Sequence, residues 1–316
     1  MIDQQRILTV TLNPALDVYT HVPRLVPQVK LRCSDPQVDP GGGGVNVSRV
    51  IHELGGTSTA FMALGGATGA QLAGLLDAAG IATHIFPAEG ETRTSFTVME
   101  DETRQHYRFV LPGPPQPDNA EAIRRSVACL FAESDIVVLT GSLLPGLPED
   151  FYGRLIEEAR AAGARTLLDA HGAALKGAVP FRPDILRLNH IEATELLGYR
   201  AAGDLQKLAE ALLREEVAES VIVSRGAEGT AVASKGATHR FRPPDIAVRS
   251  SVGAGDSFVG AFVLAIARGR SIIEAATVGV AAAASAVLAE GTGLCGREET
   301  ERMVSLVSVE SPAPAL

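Results

Sequence analysis

The sequence predicts an α/β fold in which a mainly parallel central sheet carries helices on both faces and a small β insertion stands apart. Three observations predict it. Beyond residue 119, short β-branched apolar runs alternate with stretches of helical periodicity, the pattern of a parallel sheet covered on both faces. Residues 92–99 and 105–111 are two strand-like runs with no helix between them, so they pair as an antiparallel hairpin outside that alternation. The chain has 316 residues, 46% of them apolar, enough to bury a sizeable core in one large domain or two smaller ones.

Residues 6–12 (RILTVTL) read as the first strand. From Asp17 to Gln37 the pattern loosens, with Pro23, Pro27 and Pro36, and Pro40 just beyond. Gly41 to Gly44 precede Val45, Val47, Val50, Ile51 and Leu54, a helical pattern that stops at Gly55. A strand over 57–64 and a helix over 70–79 follow. The hairpin turns at Glu100-Asp101-Glu102, and the proline-broken segment joins it in a β insertion of about 14–40 and 90–112 within one domain, 1–316. Then come helix 119–132, strand 136–140, helix 149–162, strands 166–168 and 185–188, helices 192–197 and 204–216, and strand 221–224. Glycine-rich turns and short strands fill 226–249, and helices over 254–268, 271–289 and 297–307 close the chain before a loose SPAPAL tail.

Lys plus Arg number 28 against 37 Asp plus Glu, a net charge of −9 that argues against broad nucleic-acid or anionic-membrane binding. Cys33, Cys129 and Cys295 lie far apart and form no C-x-x-C, which fits a reducing compartment and excludes a zinc ribbon. The N-terminus has acids and no long apolar run, and the fifteen Ala-rich residues between Glu274 and Glu290 are too short to span a bilayer. The expected location is the cytoplasm.

The stretch Ser250-Ser251-Val252-Gly253-Ala254-Gly255-Asp256-Ser257-Phe258 opens a strongly apolar helix. Its glycines let the backbone approach a ligand, and free first-turn N–H groups with the helix dipole make an anion site. Asp256 reads two ways: as a dipole-stabilising acid, or as a general base beside a bound phosphate. Spacing alone does not choose. G-A-G-D-S-F lacks the third glycine of a dinucleotide fingerprint, and neither a P-loop motif nor a G-x-S-x-G elbow occurs. The seven histidines show no metal spacing. The run at 41–44 reads as a hinge, or as bare N–H groups offered to a polyhydroxy ligand with Asn46 beside them. Asn189 and Glu192 form a capping box in pattern, or a site for hydrated Mg²⁺. Ser224, Gly226 and Gly229 form a plain turn, or shape a nucleotide pocket at a strand's carboxyl end. Lys30, Arg32, Arg93 and Arg108 fall in the β insertion and together could supply a pocket for a phosphorylated substrate.

In order and spacing, TLNPALD, KLRC, PGGGGVNVSRV, GGATG, TRTSF, YRFVLPG, TGSLLPG, NHIE, SRGAEG, VGAGDSFVGA and GTGLC resemble the ribokinase-like (PfkB) carbohydrate kinase family over about residues 6–303. The resemblance implies a ribokinase-like fold whose β insertion is a lid. It implies an ATP-dependent phosphosugar kinase using Mg²⁺, and in many relatives a monovalent cation near the last glycine-rich segments. Asp256 is implied as general base, with the amides of Gly253, Ala254 and Gly255 on the transferring phosphoryl group. Asp17, Gly42, Gly43 and Asn46 match positions that bind the sugar, and Lys30, Arg93 and Ser142 positions that hold its phosphate. Arg187, Asn189, Ser224, Gly226 and Gly229 match the nucleotide side, with Asn189 and Glu192 organising Mg²⁺ through water. Arg32 is implied to reach a neighbouring subunit in a homodimer paired through the lid.

Gly43, where related kinases for fructose 1-phosphate or tagatose 6-phosphate carry Lys, resembles the 6-phosphofructokinase branch, which makes fructose 1,6-bisphosphate from fructose 6-phosphate. Two departures stand out. Arg187-Leu188-Asn189 replaces K-P-N, and Leu144 replaces the first proline of S-L-P-P-G. Rival readings are those two phosphosugar kinases, a non-catalytic sugar-phosphate sensor, and a nicotinamide-dependent dehydrogenase. Asp256, Asn189 and Glu192 argue against the sensor, which needs neither base nor metal.

Overall fold

A computed structural model of the protein describes residues 4–198, 204–289 and 291–310. The first half runs β1 (Ile7–Thr11), β2 (Ala15–Val22), β3 (Gln37–Gly41), α1 (Gly43–Glu53), β4 (Thr59–Leu64), α2 (Gly66–Ala78), β5 (Ala82–Pro87), β6 (Arg93–Glu100), β7 (His106–Val110), α3 (Ala120–Ala128) and β8 (Ile136–Thr140). The second runs α4 (Phe151–Ala161), β9 (Arg165–Asp169), α5 (Gly172–Ala178), β10 (Ile185–Asn189), α6 (His190–Leu197), α7 (Leu205–Arg214), β11 (Ser220–Ser224), β12 (Thr230–Ser234) and β13 (Ala237–Arg242). It closes with α8 (Ala254–Ala267), α9 (Ile272–Ala286), α10 (Arg297–Val304) and β14 (Ser308–Glu310).

The large sheet has the order β14-β13-β12-β11-β10-β9-β8-β1-β4-β5. Every pair from β5 across to β11 is parallel, and β12, β13 and β14 add an antiparallel edge. The period of two along each strand divides the core. Leu8, Val137, Leu139, Leu168 and Leu186 pack with α3, α4, α5 and α7 on one face. Ile7, Val138, Leu167, Ile185 and Ile222 pack with α1, α8 and α9 on the other. Each such buried aliphatic side chain contributes roughly 1.5–3 kcal/mol. α8 is apolar nearly all round because it lies between α1 and α9, buried from Ser257 to Ala267. Gly260 allows the α1 contact, since a Cβ there would lie 2.6 Å from Val50.

The chain winds outward from β1 through β4 to β5, then returns to β1's other side and proceeds through β8 to β11. The winding reverses between β1 and β8, and the crevice at the carboxyl ends of such neighbours is where open α/β sheets bind ligands.

The β insertion is a four-stranded sheet of order β3-β2-β6-β7. β6 and β7 form the expected antiparallel hairpin, while β2 joins β6 in parallel. Register places Asp39, Asp17 and Ser95 in one inner row and Tyr19, Thr97 and Arg108 in the next. Val18, Phe96 and Phe109 share the outer face.

Several elements differ from the sequence expectation. β2 and β3 occupy the segment read as loosened, because the prolines fall in the loop between them and at the end of β3. β5 was unforeseen. It is an edge strand whose residues are all exposed or half-buried, so it lacks an apolar signature. The short Ala- and Gly-rich α5 and the three-residue β14 carry too little periodicity to read. The third helix ends at Ala128 before a short 3₁₀ turn, and α9 ends at Ala286. The SPAPAL tail lies outside the described residues.

Candidate active site

Five strands deliver chemistry at their carboxyl ends. Asn13 follows β1, Ser142 follows β8, Asp169 closes β9, Asn189 closes β10 and Ser224 closes β11. The N-termini of α1 and α8 complete the site.

α8 starts after Gly253, whose φ of 78° is left-handed, and no side chain caps its first-turn amides. Asp256 lies in that first turn, and its Oδ2 accepts a hydrogen bond of 2.8 Å from Asn46 Nδ2 of α1. Burial pushes the Asp256 carboxyl up to about 6; the Asn46 bond opposes this, Asp169 adds to it, and Arg187 and Arg108 oppose it. A carboxylate titrating there is poised to accept a proton near neutral pH.

Arg187 donates to Asp169 at 3.2 Å, and both side chains are largely buried. Gly255 leaves room for that guanidinium, because a Cβ there would lie 3.2 Å from Arg187 Nη2. The cation that departs from the expected K-P-N is thus held by a carboxylate beside the α8 N-terminus. Leu144, the other departure, is a core residue.

Asn189 and Glu192 realise the capping box. Asn189 Oδ1 accepts from the Ile191 and Glu192 amides at 2.8 and 2.9 Å, and Asn189 N donates to Glu192 Oε2 at 2.8 Å. Burial raises the Glu192 carboxyl and Asp169 adds to the rise, partly offset by the Asn189 amide and by Arg187. Glu192 keeps its other oxygen outside the box. Among the described residues no three His, Cys, Asp or Glu side chains gather as a metal site. A single free carboxylate oxygen suits Mg²⁺, which keeps several waters.

A cleft of about 440 Å³ is lined by Arg187, Ala254 and Gly255, by Ser224, Gly226 and Gly229, and by the apolar side chains of Phe258, Val280 and Val287. It gathers the nucleotide-side residues, except that Asn189 stays in its box. Ser224 Oγ shares a hydrogen bond of 3.1 Å with Thr230 Oγ1.

On the other side of Asp256, the glycine run is a packed seat and not a slack hinge. A Cβ on Gly41 would lie 2.1 Å from Asp17 Oδ2, and one on Gly43 2.4 Å from Thr140 Oγ1. Gly42 has φ of 113°, open in practice to glycine. Asp17 is buried on the inner face of the small sheet and its Oδ1 has no hydrogen-bond partner. Burial raises its carboxyl, against Arg108, Arg93 and Arg49, while Asp39 adds to the rise. Arg93 donates to the Asn13 carbonyl from Nε at 3.2 Å and Nη2 at 3.0 Å, and Asn13 Nδ2 donates to Ser142 Oγ at 3.0 Å. Asn13 therefore ties two expected phosphate ligands together. Lys30 and Arg32 are exposed in the loop between β2 and β3, and Lys30 is not among the charges acting on Asp17.

Sequence reasoning did not single out Asn13, Arg49 or Asp169, and left Arg108 as one of several basic residues. Asp169 carried a usable signal, an acid at the end of a strand in an alternating α/β pattern. Asn13 and Arg49 act through contacts that no local pattern encodes.

Residues 11–299 match the family described as pfkB family carbohydrate kinase. The chain is 39% identical over 311 residues to the ATP-dependent 6-phosphofructokinase isozyme 2 of Mycobacterium tuberculosis (strain ATCC 25618 / H37Rv), spanning 96% of this chain and 90% of that protein. It is 34% identical over 306 residues to the protein of that name from Escherichia coli (strain K12), spanning 96% and 99%. The crystal structure of phosphofructokinase-2 from Escherichia coli in complex with fructose-6-phosphate superposes with a TM-score of 0.88 at 33% identity, over 96% of this chain and 99% of that one. Other structures of that protein are described as a potassium complex and as a tetrameric inhibited form.

Proposed function

Because the chain belongs to the pfkB family of carbohydrate kinases and is a phosphotransferase acting on a hydroxyl group, we propose that it transfers the γ-phosphoryl group of ATP to fructose 6-phosphate, with Asp256 as general base. The observation that carries this reading is the buried Asp256 carboxyl at the uncapped start of α8, between a cleft and a cluster of cations.

The cleft takes ATP, its apolar side chains facing the base and the first-turn amides of α8 the phosphates. Asp17, Gly42, Gly43 and Asn46 seat the sugar. Arg93 and Ser142 hold its phosphate, with Lys30 where the loop between β2 and β3 folds inward on substrate. Asp256 takes the proton of the attacking hydroxyl as its oxygen bonds to phosphorus and the bond to ADP breaks. The amides of Gly253, Ala254 and Gly255 receive the charge on the phosphoryl oxygens. Glu192 and Asn189 would hold Mg²⁺ through water, and that ion, when bound, neutralises charge on the nucleotide phosphates. The Ser250–Gly291 hydrogen bond of 2.9 Å joins two glycine-rich segments, and we place a monovalent cation beside them.

In this reading residues 1–316 form one domain, and the small sheet is its lid, excluding water from ATP. The lid's outer face exposes Phe96 and Phe109, and a second copy of the chain covers it in a homodimer to which Arg32 contributes. Among the described residues no helix is long and apolar enough to cross a membrane. The cytoplasm, with its ATP and sugar phosphates, is the setting proposed.

The test is ADP release with Mg-ATP and fructose 6-phosphate, fructose 1-phosphate, tagatose 6-phosphate, fructose or ribose. Fructose 6-phosphate is expected to lead. A lead by another phosphosugar keeps the chemistry and moves the substrate, whereas turnover of only unphosphorylated sugars removes the phosphate pocket.

A further inference from the structure

We propose that Arg49 is a positioning residue that holds the Asn46 amide in the one orientation that presents its NH₂ to Asp256. The inference rests on the reading of Asp256 as general base.

Arg49 lies one helical turn after Asn46 on α1. Its Nη1 donates to Asn46 Oδ1 at 3.2 Å and to the Pro40 carbonyl at 2.9 Å, and its Nη2 pairs with Asp39 Oδ1 at 3.3 Å. Asp39 is braced in turn, since Oδ2 accepts from Gln37 Nε2 at 2.7 Å and from Thr292 Oγ1 at 2.8 Å. Asn46 therefore stands between a guanidinium and a carboxylate, with Nδ2 2.8 Å from Asp256 Oδ2.

The two ends of an amide are nearly equal in shape and opposite in hydrogen-bonding sense. A guanidinium only donates and a carboxylate only accepts, so both neighbours select the same orientation. The consequence lies in the protonated state. A protonated Asp256 can donate, and a free Asn46 would turn its oxygen to meet that proton. Arg49 forbids the turn, because NH₂ would then face its own N–H groups. The protonated acid loses its best partner while the ionised form keeps its own, so the ionised base is favoured. The other charged groups acting on Asp256 are Asp169 on β9, Arg187 on β10 and Arg108 on β7.

The test is the pH dependence of kcat with saturating fructose 6-phosphate and Mg-ATP, for the wild type, Arg49→Met, Asn46→Ala and the double variant. The substrate's own phosphate titrates alike in all four, so differences between them report the protein. The position of the acid limb, unlike its height, does not depend on the folded fraction. Arg49→Met is expected to move the limb upward by about 0.5–1 pH unit, and by clearly less in the Asn46→Ala background, where only the direct charge of Arg49 on Asp256 is lost. Equal shifts in both backgrounds would mean that Arg49 acts by charge alone and would overturn the proposal, as would no shift in either. Arg49→Gln replaces Arg49→Met if the latter does not fold. Asp256→Asn is measured alongside: near-normal turnover there sinks the general-base reading, whereas loss of turnover with an unmoved limb in Arg49→Met sinks only the role of Arg49.

Discussion

Asp256 must be ionised to take a proton, and burial works against that. The balance of Asn46, Arg187 and Arg108 against burial and Asp169 leaves it at about 6. The sign follows directly: the protonated acid is inert, so kcat falls about tenfold per unit as pH drops below about 6. A kcat that stayed flat to pH 5 would remove Asp256 from the proton transfer. The guanidinium of Arg93 offers a second check. One edge is committed to the Asn13 carbonyl, and its more weakly engaged Nη1 is available to a phosphate. Arg93→Ala is expected to raise the KM for fructose 6-phosphate about tenfold or more and leave that for ATP within about twofold, since one charge-assisted hydrogen bond is worth roughly 1.5–3 kcal/mol. Equal effects on the two substrates would place Arg93 elsewhere. At this scale the sequence named Asp256, Asn46, Arg93 and Ser142, whose residue types advertise chemistry. It missed Arg49 and Asn13, which work by holding those groups.

α1 begins inside the glycine run because nothing larger fits against β8. Thr140 is a buried, β-branched strand residue, so its hydroxyl has little freedom to retreat from a new methyl group at position 43. Gly43→Ala is expected to lower stability by about 1–3 kcal/mol and to raise the sugar-phosphate KM. Thermal unfolding and steady-state kinetics check both, and a variant with wild-type melting and KM would show that the seat is slack. Elements with strong periodicity or terminal signals were legible: β1, α1, the β6–β7 hairpin, the capping box of α6 and the start of α8. β5 was not, because an edge strand with little burial has no apolar code. β2 was legible only as part of the β insertion and not as a strand of its own, because the prolines of the following loop blur the pattern.

For the whole molecule, the outer face of the small sheet sets two aromatic rings in water. Phe109 is 53% and Phe96 39% exposed, and the two lie opposite each other on neighbouring strands. Phe109→Asp, which places a charge on that face, is expected to shift sedimenting mass from dimer to monomer at micromolar concentration. A variant that stays dimeric would mean that another surface holds the copies together, and a wild type that sediments as a monomer would remove the proposed homodimer. Parity along β7 turns Arg108 to the opposite side, toward Asp17 and Asp256, so the same strand serves both faces.

Strand and helix placement, the α/β class and the residue types able to do chemistry follow from neighbours in the chain, because period and turn chemistry are local properties. Which of those residues meet is another matter. Asn46 and Asp256 stand 210 residues apart and touch at 2.8 Å, and Asp39 meets Thr292 across 253 residues. Such contacts depend on how α1 and α8 pack on one sheet face, and on where the winding reverses. Packing of distant elements, which no stretch of sequence specifies alone, brought the candidate groups together around Asp256 and the start of α8.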